Sequence, residues 1–423
     1  MKAPHCRFCD TPLENIFVDL GMSPLSNAYL SPDKLLDMEP FYPLRVFVCQ
    51  NCFLVQLPAF NSSEEIFSDY AYFSSYSDSW LDHCRKYASD IFERYQLDAN
   101  SRVVEIASND GYLLQFFKPL GVSVLGIEPA ENVAKVATTS GIETIVDFFS
   151  RGLATALRRK NVQADLLIGN NVLAHVPDLN DFVAGLEILL SPDGVITMEF
   201  PHLMRLMAEN QYDTIYHEHF SYFSLITVQR VFEAHGLKIF DVEQLPTHGG
   251  SLRIHACHEA CGKYRSSDRR KALLKTEIEF GLDTPNCYRA FADKVHASKR
   301  QLLEFLIACR ERGETIVGYG APAKGNTLLN YCGVREDLLS YTVDRSPHKQ
   351  GRYLPGTHIP IYAVDKIEET RPDYLLILPW NIKDEIMDQM AGIGRWGGKF
   401  VTPIPEIKIY HSKPGYSAAV KER

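Results

Sequence analysis

The stretch Val103-Val104-Glu105-Ile106-Ala107-Ser108-Asn109-Asp110-Gly111 decides the fold that the sequence predicts. Its first four residues read as a strand, and the polar residues that follow read as a turn. From here to about residue 256, apolar strands alternate with helical segments, which is typical of a doubly wound α/β domain. Ligands of such sheets bind beyond the carboxyl ends of the strands, so we expect this turn to lie at a ligand site.

Acidic and amide side chains follow the predicted strands of this middle domain. Glu128 ends the second strand, where a carboxylate can accept both hydroxyl protons of a ribose. A dinucleotide would also need closely spaced glycines for its pyrophosphate, and the pattern GxGxxG is missing from this turn. S-Adenosylmethionine has a ribose, no phosphate and two cationic groups that suit acidic surroundings. The sequence therefore favours this cofactor, and an ordinary Rossmann-like domain with surface carboxylates is the alternative. The expected cofactor-binding residues are Glu105, Asn109, Gly111, Glu128, Asp147 and Asn170.

Four N-terminal cysteines form two CxxC pairs, Cys6 with Cys9 and Cys49 with Cys52. Each CxxC turn directs two thiolates at one centre, and two such turns complete the tetrahedral shell of a structural zinc ion. His5 is a competing ligand, and four unrelated core cysteines are the alternative. A second group of histidines and cysteines, at 255–261, follows a segment that alternates like a strand, which favours a structural role for it.

Two later clusters combine groups that take up and donate protons. Asn171 and His175 follow the predicted strand that ends at Gly169, at the functional edge of the sheet. The run 216–223 contains two imidazoles, a carboxylate and two phenols. Because the metal-binding pattern HExxH is absent, general acid–base chemistry fits this run better than a metal site. A tyrosine-rich stretch at 69–77 either packs between domains or lines a polar ligand pocket.

A second α/β unit begins after the polar stretch 262–283, which is typical of a domain boundary. Its turn Gly318-Tyr319-Gly320 is followed by Lys324 at a predicted helix start, where backbone amides can bind a pyrophosphate. Lys349 and Arg352 offer further positive charge. The glycine spacing favours the nucleotide of a substrate over a nicotinamide dinucleotide, for which Asp344 would be the ribose partner. An ordinary turn with a surface lysine is the remaining alternative.

These motifs, in this order, resemble those of the sugar C-3-methyltransferases. Members of that family use S-adenosylmethionine to methylate carbon 3 of nucleotide-linked 4-keto-6-deoxy sugars. The resemblance covers nearly the whole chain. Its motifs are the paired CxxC turns, 109–111, 171–178, 216–224, 248–253, 318–327, 349–351, 355–361 and 378–381. One departure is Ala107, where class I methyltransferases more often carry glycine.

The resemblance implies that His219 is the base that removes the proton at carbon 3. It places Tyr216, Glu218, His175 and Tyr70 around the sugar. The further expected substrate-binding residues are Tyr72, Tyr76, Asn171, Tyr222, Tyr319, Lys324, Lys349 and Arg352. The predicted architecture is α/β throughout: a zinc-binding module at 1–72, a class I methyltransferase domain at 73–258, a C-terminal Rossmann-like nucleotide-sugar-binding domain at 259–412 and a tail at 413–423. The family also suggests a monomer.

The composition narrows the classes of function. The 423 residues include 44 Lys and Arg against 53 Asp and Glu, a net charge of −9, which argues against a nucleic-acid backbone binder. No run of eighteen apolar residues and no signal-peptide core is present, so we expect a cytoplasmic enzyme without a membrane partner. Its expected partner is a nucleotide-linked keto-deoxysugar. The alternatives are a zinc-module RNA methyltransferase and a non-catalytic S-adenosylmethionine-binding protein.

Overall fold

The computed structural model of the chain describes residues 4–60, 75 and 78–412. The predicted site residues Tyr70, Tyr72 and Tyr76 and the predicted tail 413–423 lie outside these ranges. The chain divides into two compact units, and each is assembled from three stretches of sequence. The first unit contains Met1–Asn15, Val48–Met204 and Glu218–Pro285, and the second contains Ile16–Phe47, Arg205–His217 and Asn286–Arg423. The four consecutive segments expected from the sequence stay a prediction.

The secondary structure alternates between strands and helices over most of the described chain. The strands are β1 (Asn15–Ser23), β2 (Tyr42–Val48), β3 (Val55–Gln56), β4 (Arg102–Ile106), β5 (Ser123–Ile127), β6 (Thr144–Ile145), β7 (Ala164–Asn170), β8 (Leu190–Pro201), β9 (Ser221–Tyr222), β10 (Leu237–Leu245), β11 (Ser251–His258), β12 (Ile316–Tyr319), β13 (Thr342–Val343), β14 (Ile361–Tyr362), β15 (Tyr374–Ile377), β16 (Lys399–Thr402) and β17 (Lys408–His411). The α-helices are α1 (Asp78–Tyr95), α2 (Leu114–Phe117), α3 (Glu131–Thr139), α4 (Arg151–Arg159), α5 (Leu179–Leu189), α6 (Leu203–Ala208), α7 (Leu225–Glu233), α8 (Asp268–Phe280), α9 (Pro285–Arg289), α10 (Phe291–Glu311), α11 (Ala323–Cys332), α12 (Lys366–Thr370) and α13 (Lys383–Gln389).

The first unit is built on a seven-stranded sheet with the order β10-β11-β8-β7-β4-β5-β6. Counted along the chain within this sheet, and read from its β6 edge, the order is 3-2-1-4-5-7-6. The strands from β8 to β6 are parallel, and β11 runs antiparallel to β8. The order reverses between β4 and β7, so the residues after these two strands lie at the switch point where ligands bind. This topology is the predicted class I methyltransferase fold.

The burial pattern of the sequence explains the central strand and its neighbouring helix. In β7 every residue except Asp165 is buried, as expected for a strand covered by helices on both faces. In α5 the buried side chains Leu179, Phe182, Val183 and Leu186 repeat at helical spacing. Helix α5 begins where the carboxylate of Asp178 accepts the backbone N–H of Asp181 at 3.0 Å.

The second unit contains a smaller α/β sheet with the order β14-β13-β12-β15-β16-β17. The strands β12 to β16 are parallel and β17 is antiparallel. The order reverses between β12 and β15, which places the turn after β12 at the switch point of this sheet. The long helix α10 belongs to this unit. The segment with β1 and β2, which pair with each other, also belongs largely to it.

Two elements are shorter than the sequence pattern predicts. The pattern of 112–120 predicts a helix, but the structure has α2 followed by a 3-10 turn at Lys118–Leu120, because Pro119 has no N–H to continue an α-helix. Most of the polar stretch 262–283 forms α8, which belongs to the first unit. The apolar pattern of 338–343 predicts a strand, but the strand is limited to β13. Within the described ranges, no helix is both long and apolar enough to cross a membrane.

Candidate active site

The four predicted zinc ligands lie together in the first unit. Their sulfur atoms are all within 4.8 Å of one another. The Sγ atoms of Cys6 and Cys52 are 3.5 Å apart, as are those of Cys9 and Cys49. Zinc–thiolate bonds of about 2.3 Å place tetrahedral sulfurs about 3.8 Å apart, so the cluster matches a four-sulfur zinc site.

The two CxxC turns have the same backbone construction. The carbonyl of Cys6 accepts the N–H of Asp10 at 3.0 Å, and the carbonyl of Cys49 accepts the N–H of Phe53 at 2.9 Å. Both accepting turns end on a left-handed residue, with φ of 57° at Asp10 and 62° at Phe53. The competing ligand His5 lies outside the cluster, because its Nδ1 is 2.8 Å from the carbonyl of Asp10.

The turn after β4 is held against the end of β5 by Glu128. One carboxylate oxygen accepts the backbone N–H of Asn109 at 2.9 Å, and the other accepts that of Ala130 at 2.9 Å. Ala107 and Asn109 both have left-handed φ angles, 56° and 50°. At Gly126 a Cβ would stand 2.4 Å from the Ser108 hydroxyl, so only glycine lets the turn approach β5 this closely. Two predicted cofactor residues are therefore joined directly, because Glu128 accepts the backbone N–H of Asn109 in the turn after β4.

Buried acceptor atoms concentrate at this end of the sheet. Asp110 Oδ1, Asn170 Oδ1 and the Ser108 hydroxyl oxygen have no hydrogen-bond partner among the described residues. Glu105 is fully buried; burial raises its pKa well above its usual value, the Tyr112 hydroxyl partly offsets this, and the nearby Glu128 and Asp110 raise it further. Acceptors and carboxylates in such density suit a ligand with hydroxyl and cationic groups, and S-adenosylmethionine has both.

Gly111 and Asp147, the remaining predicted cofactor residues, occupy different surroundings. Gly111 has a φ of 80° and ends the turn, where a Cβ would stand 3.1 Å from Ile142. Asp147 follows β6 on the surface, and its carboxylate accepts the N–H of Phe148 at 2.8 Å. The structure thus groups Glu105, Asn109, Gly111 and Glu128 around the β4 turn.

Two histidines of the predicted acid–base set meet in the first unit. The rings of His175 and His219 are 4.8 Å apart and stand at 65°, and the Tyr222 ring lies 6.0 Å from His219. His175 Nδ1–H donates to the carbonyl of Glu218 at 2.7 Å, which leaves the lone pair on Nε2. Burial lowers the pKa of His175 to about 4, although the Glu218 carbonyl opposes this shift. His175 is therefore neutral near pH 7, and its Nε2 is an acceptor.

Tyr216 and His217 belong to the second unit, whereas Glu218 and His219 belong to the first. His217 is buried, with Nε2 3.3 Å from the carbonyl of Pro43 and its ring 5.8 Å from that of Tyr42. Burial lowers the pKa of His217. The run 216–223 is thus divided between the two units after His217. Of its two histidines, His219 is the one whose ring contacts that of His175.

Asn171 contacts His248, a residue for which the sequence predicts no role. Its Nδ2 lies 3.2 Å from Nε2 of His248, which follows β10 and has a left-handed φ of 54°. Asn171 itself has a φ of 54°. Non-glycine residues in this backbone region are strained and cluster at functional sites. His248 belongs to the motif 248–253, so the sequence drew attention to it. Nothing in the sequence predicts that it contacts Asn171, which lies 77 residues earlier.

In the second unit, Lys324 lies in the first turn of α11. Its Nζ donates to Asn381 Oδ1 at 2.7 Å and lies 4.8 Å from the Trp380 ring centroid. The Trp380 indole N–H donates to Asp213 Oδ2 at 2.6 Å. Burial lowers the pKa of Lys324, opposed by the charge of Asp213, and burial raises the pKa of Asp213 to about 6. Asp213 was missed because it lies more than a hundred residues from Lys324 in sequence.

Lys349 and Asp344 brace the turn after β12. Lys349 Nζ donates to the carbonyl of Ala321 at 2.8 Å, while Asp344 Oδ2 accepts the N–H of Ala321 at 2.7 Å. The other oxygen of Asp344 accepts the N–H of Ser346 at 2.8 Å. Asp344 therefore holds its turn much as Glu128 holds the β4 turn in the first unit.

The other two predicted residues of this unit do not join Lys324 and Lys349. Tyr319 is buried in the core of the sheet, and its hydroxyl donates to Gln389 at 3.0 Å. Arg352 is exposed. Tyr319 therefore offers a ligand little surface.

Three family models match consecutive parts of the chain. Residues 6–67 match the "Putative zinc binding domain" of methyltransferases, and residues 80–242 match a methyltransferase domain. Residues 246–405 match the C-methyltransferase C-terminal domain.

Two known proteins and one solved structure that are similar to the chain are methyltransferases. C-methyltransferase NovU of Streptomyces niveus is 36% identical over 408 residues, which cover 96% of each chain. The ubiquinone biosynthesis O-methyltransferase of Bartonella quintana is 26% identical over 98 residues, 23% of this chain and 40% of that protein. A solved S-adenosylmethionine-dependent methyltransferase from Clostridium acetobutylicum aligns over 42% of this chain and 92% of its own, with 10% identity and a TM-score of 0.35.

The family models and the similarity to NovU over nearly the whole chain confirm three expectations from the sequence. These are the methyltransferase class, the cofactor S-adenosylmethionine and the zinc-binding module, whose four cysteines the structure brings together. The chain belongs to the family of S-adenosylmethionine-dependent C-methyltransferases that carry an N-terminal zinc-binding domain.

Proposed function

We propose that the protein methylates carbon 3 of a nucleoside-diphosphate-linked 4-keto-6-deoxyhexose, through an enolate, in the synthesis of a branched deoxysugar. The observation that carries this proposal is the pair of His175 and His219 beside Tyr222 in the first unit. A carbon acid next to a ketone needs a base and a donor for the enolate oxygen, and imidazole and phenol supply these.

His219 is assigned as the base. It takes the proton from carbon 3, the electron pair of the C–H bond forms the C3–C4 double bond, and the ketone oxygen becomes the enolate oxygen. When bound, S-adenosylmethionine would supply a methyl group activated by its sulfonium; the S–CH3 bond breaks, the sulfur leaves as a neutral thioether, and methylation of carbon 3 restores the ketone. The protein must then align the enolate carbon with that methyl group.

His175 receives a different role from His219. Its Nδ1–H is held by the Glu218 carbonyl, and its low pKa keeps Nε2 unprotonated near neutral pH. It can therefore accept a hydrogen bond from a sugar hydroxyl but cannot donate one to the enolate oxygen through Nε2. The proposal assigns that donation to phenols, with Tyr222, Tyr216 and Tyr70 as the candidates, and it assigns Glu218 to the surroundings of the sugar.

The nucleotide part of the substrate is assigned to the turn after β12 in the second unit. This turn precedes the N-terminus of α11, and two lysines, Lys324 and Lys349, lie beside it. Backbone amides at a helix start and lysine ammonium groups together suit a pyrophosphate. The spacing of Gly318, Gly320 and Gly325 departs from the dinucleotide pattern GxGxxG, which supports the substrate nucleotide over a dinucleotide at this turn.

Incubation of the purified protein with S-adenosylmethionine and dTDP-, GDP- and CDP-linked 4-keto-6-deoxy sugars tests the substrate class. We expect mass spectrometry to detect one added methyl group on one of these sugars. If the protein binds S-adenosylmethionine but methylates none of them, the proposed substrate is wrong. An RNA substrate or a non-catalytic binding role would then take precedence.

Histidine variants test the assignment of the base. With an accepted sugar in D2O, wild-type protein should exchange the hydrogen at carbon 3 for deuterium. His219→Gln should lower this exchange by roughly 100-fold or more while it still binds S-adenosylmethionine. His258→Gln is the matched control, because His258 lies at the end of β11 and contacts the carbonyl of Leu190. Full exchange in His219→Gln would exclude His219 as the sole base.

A further inference from the structure

Arg7 stands between the zinc ligands Cys6 and Cys9, and its main chain is fixed on both sides. The backbone N–H of Arg7 donates to Oε1 of Gln56 at 2.9 Å. The side-chain Nε2 of Gln56 in turn donates to Sγ of Cys6 at 3.1 Å. The carbonyls of Arg7 and Phe8 accept hydrogen bonds from Nδ2 of Asn180, at 3.3 and 2.9 Å. The first CxxC turn is therefore tied to the start of α5.

The Arg7 guanidinium reaches three further backbone carbonyls. It donates to Leu57 at 2.5 Å, to Pro177 at 3.1 Å and to Val176 at 3.4 Å. Its central carbon lies 5.3 Å from the centroid of the Phe220 ring, within range of a cation–π contact. One side chain thus joins segments that are more than a hundred residues apart in sequence.

These contacts directly flank the histidine pair. The carbonyls bound at Val176 and Pro177 come immediately after His175, and the ring under the guanidinium comes immediately after His219. The two segments are also joined to each other, because the N–H of Phe220 donates to the carbonyl of Ala174 at 2.7 Å. Displacement of the guanidinium would leave the two carbonyls after His175, and that of Leu57, without this donor, and would remove the cation from the ring after His219.

We propose that Arg7 is a positioning residue through which the first zinc-binding turn holds His175 and His219 in their relative orientation. The zinc site then supports the acid–base pair as well as the local fold. The consequence for proton removal rests on the function proposed above. The effect on the imidazoles themselves does not, and it can be measured without any sugar.

Arg230 provides a matched control on the second zinc-binding turn. Its guanidinium donates to the carbonyl of Asn51 at 3.2 Å and lies 5.5 Å from the Phe53 ring centroid, so it repeats the chemistry of Arg7. Arg230 is exposed on α7, and its contacts with the second turn include neither of the two histidine segments. Replacement of Arg230 therefore removes an arginine–turn contact without touching the proposed support.

The test uses the full, zinc-loaded chain with 15N-labelled histidine rings, assigned with His175→Gln and His219→Gln. In wild-type protein we expect the 15N shifts of His175 to report the Nδ1–H form. Arg7→Gln should retain its zinc, measured by elemental analysis, and its dissociation constant for S-adenosylmethionine. Its His175 signals should lose the single-tautomer signature, and the His175 pKa should rise from about 4 toward 6.5. Arg230→Gln should match wild type in every respect.

Arg7→Lys decides the matter if Arg7→Gln loses zinc, because lysine keeps the charge but cannot reach three carbonyls at once. A zinc-loaded variant at position 7 with unchanged shifts and pKa for both imidazoles would overturn the proposal. So would equal changes in Arg230→Gln. With an accepted sugar, exchange at carbon 3 should fall on the order of 10- to 100-fold in Arg7→Gln. If no sugar is accepted, the proposed substrate fails, whereas the imidazole result stands by itself.

Discussion

Ala107 has a left-handed φ of 56° at the point where the chain leaves β4 for the turn after it. This conformation brings the Cβ of an L-residue close to its own backbone and costs about 1 kcal/mol, whereas glycine adopts it freely. The sequence already marked Ala107 as a departure from the glycine that class I methyltransferases more often carry. The left-handed conformation explains why glycine is the more favourable residue at this position.

Ala107→Gly should therefore be tolerated, although alanine is normally the more stabilising residue. We expect the free energy of unfolding to rise by up to about 1 kcal/mol and the affinity for S-adenosylmethionine to stay equal or increase. Chemical denaturation and calorimetric titration measure the two quantities. Loss of stability by more than about 0.5 kcal/mol would mean that the turn does not have the left-handed conformation at this residue.

His175 makes the stability of the protein depend on pH. Its pKa is about 4 in the folded protein and 6.5 in an unfolded chain, so between these values only the unfolded chain binds the proton. The unfolding free energy therefore falls as the pH drops from 6.5 to 4, and above pH 6.5 His175 has no effect. When the pH is lowered from 7 to 5, the unfolding free energy of wild type should fall by about 2 kcal/mol more than that of His175→Gln. Parallel losses in both proteins would show that His175 has an ordinary pKa.

Individual residues differ in how well the sequence reveals them. The cysteines and His175, Glu218 and His219 could be singled out because their side-chain chemistry is unusual at their spacing. Arg7 could not, since nothing in Cys-Arg-Phe-Cys predicts that its guanidinium lies on Phe220, more than 200 residues later. The roles that escaped prediction are those that depend on long-range contacts.

At the scale of elements, a buried carboxylate of α8 caps helix α7, which follows the segment with His219 and Tyr222. Glu277 of α8 is fully buried, and its two oxygens accept the backbone N–H groups of Leu225 and Ile226 at 2.7 and 2.8 Å. His202 Nε2 lies 2.7 Å from the same carboxylate. A carboxylate at a helix N-terminus satisfies free N–H groups and interacts favourably with the helix dipole.

Glu277→Gln should destabilise the protein by about 2 kcal/mol or more. One carboxylate oxygen becomes an amide NH2, which faces a backbone N–H and leaves it without an acceptor in a buried place. Denaturant titration at constant zinc measures the loss. Glu279→Gln is the control on the same helix, because Glu279 is exposed and pairs with Lys275, and its change should stay within about 0.5 kcal/mol. Equal effects of the two variants would contradict the capping role.

The elements that sequence patterns predicted well are those with many buried apolar residues. The strands β4, β5, β7 and β11 lie where they were expected, because apolar runs and alternation marked them. Helix α8 was not predicted within the polar stretch 262–283, since among its thirteen residues Leu273 and Glu277 are the buried ones, and one of these is charged. A helix with so little apolar surface gives no periodic signal.

At the scale of the whole molecule, sequence order and spatial order diverge. The stretch Ile16–Phe47 lies between the two CxxC turns in sequence but clusters with the C-terminal residues in the second unit. The short stretch Arg205–His217 does the same from within the methyltransferase region. Local patterns identified both α/β sheets, but they contain no information on which compact unit an inserted segment joins.

Zinc removal tests how far the zinc site supports the first unit. Cys49→Ser should lose the metal, because serine replaces one of the four thiolate ligands. We expect faster amide hydrogen exchange in both zinc-binding turns and in residues 174–176, next to the Val176 and Pro177 carbonyls that Arg7 contacts. Cys287→Ser, which changes a cysteine outside the cluster, should retain zinc and the wild-type exchange pattern. Retained zinc in Cys49→Ser, or unchanged exchange at 174–176 after its loss, would contradict this account.

The position of the transferred methyl group tests the central claim most directly. The protein is supplied with S-adenosylmethionine labelled with 13C at its methyl group and with the sugar that it accepts, and the product is analysed by NMR. The account predicts that the labelled carbon is bonded to carbon 3 and that the ketone at carbon 4 remains. A labelled methyl on a sugar oxygen, or on any other carbon of the sugar, would contradict it.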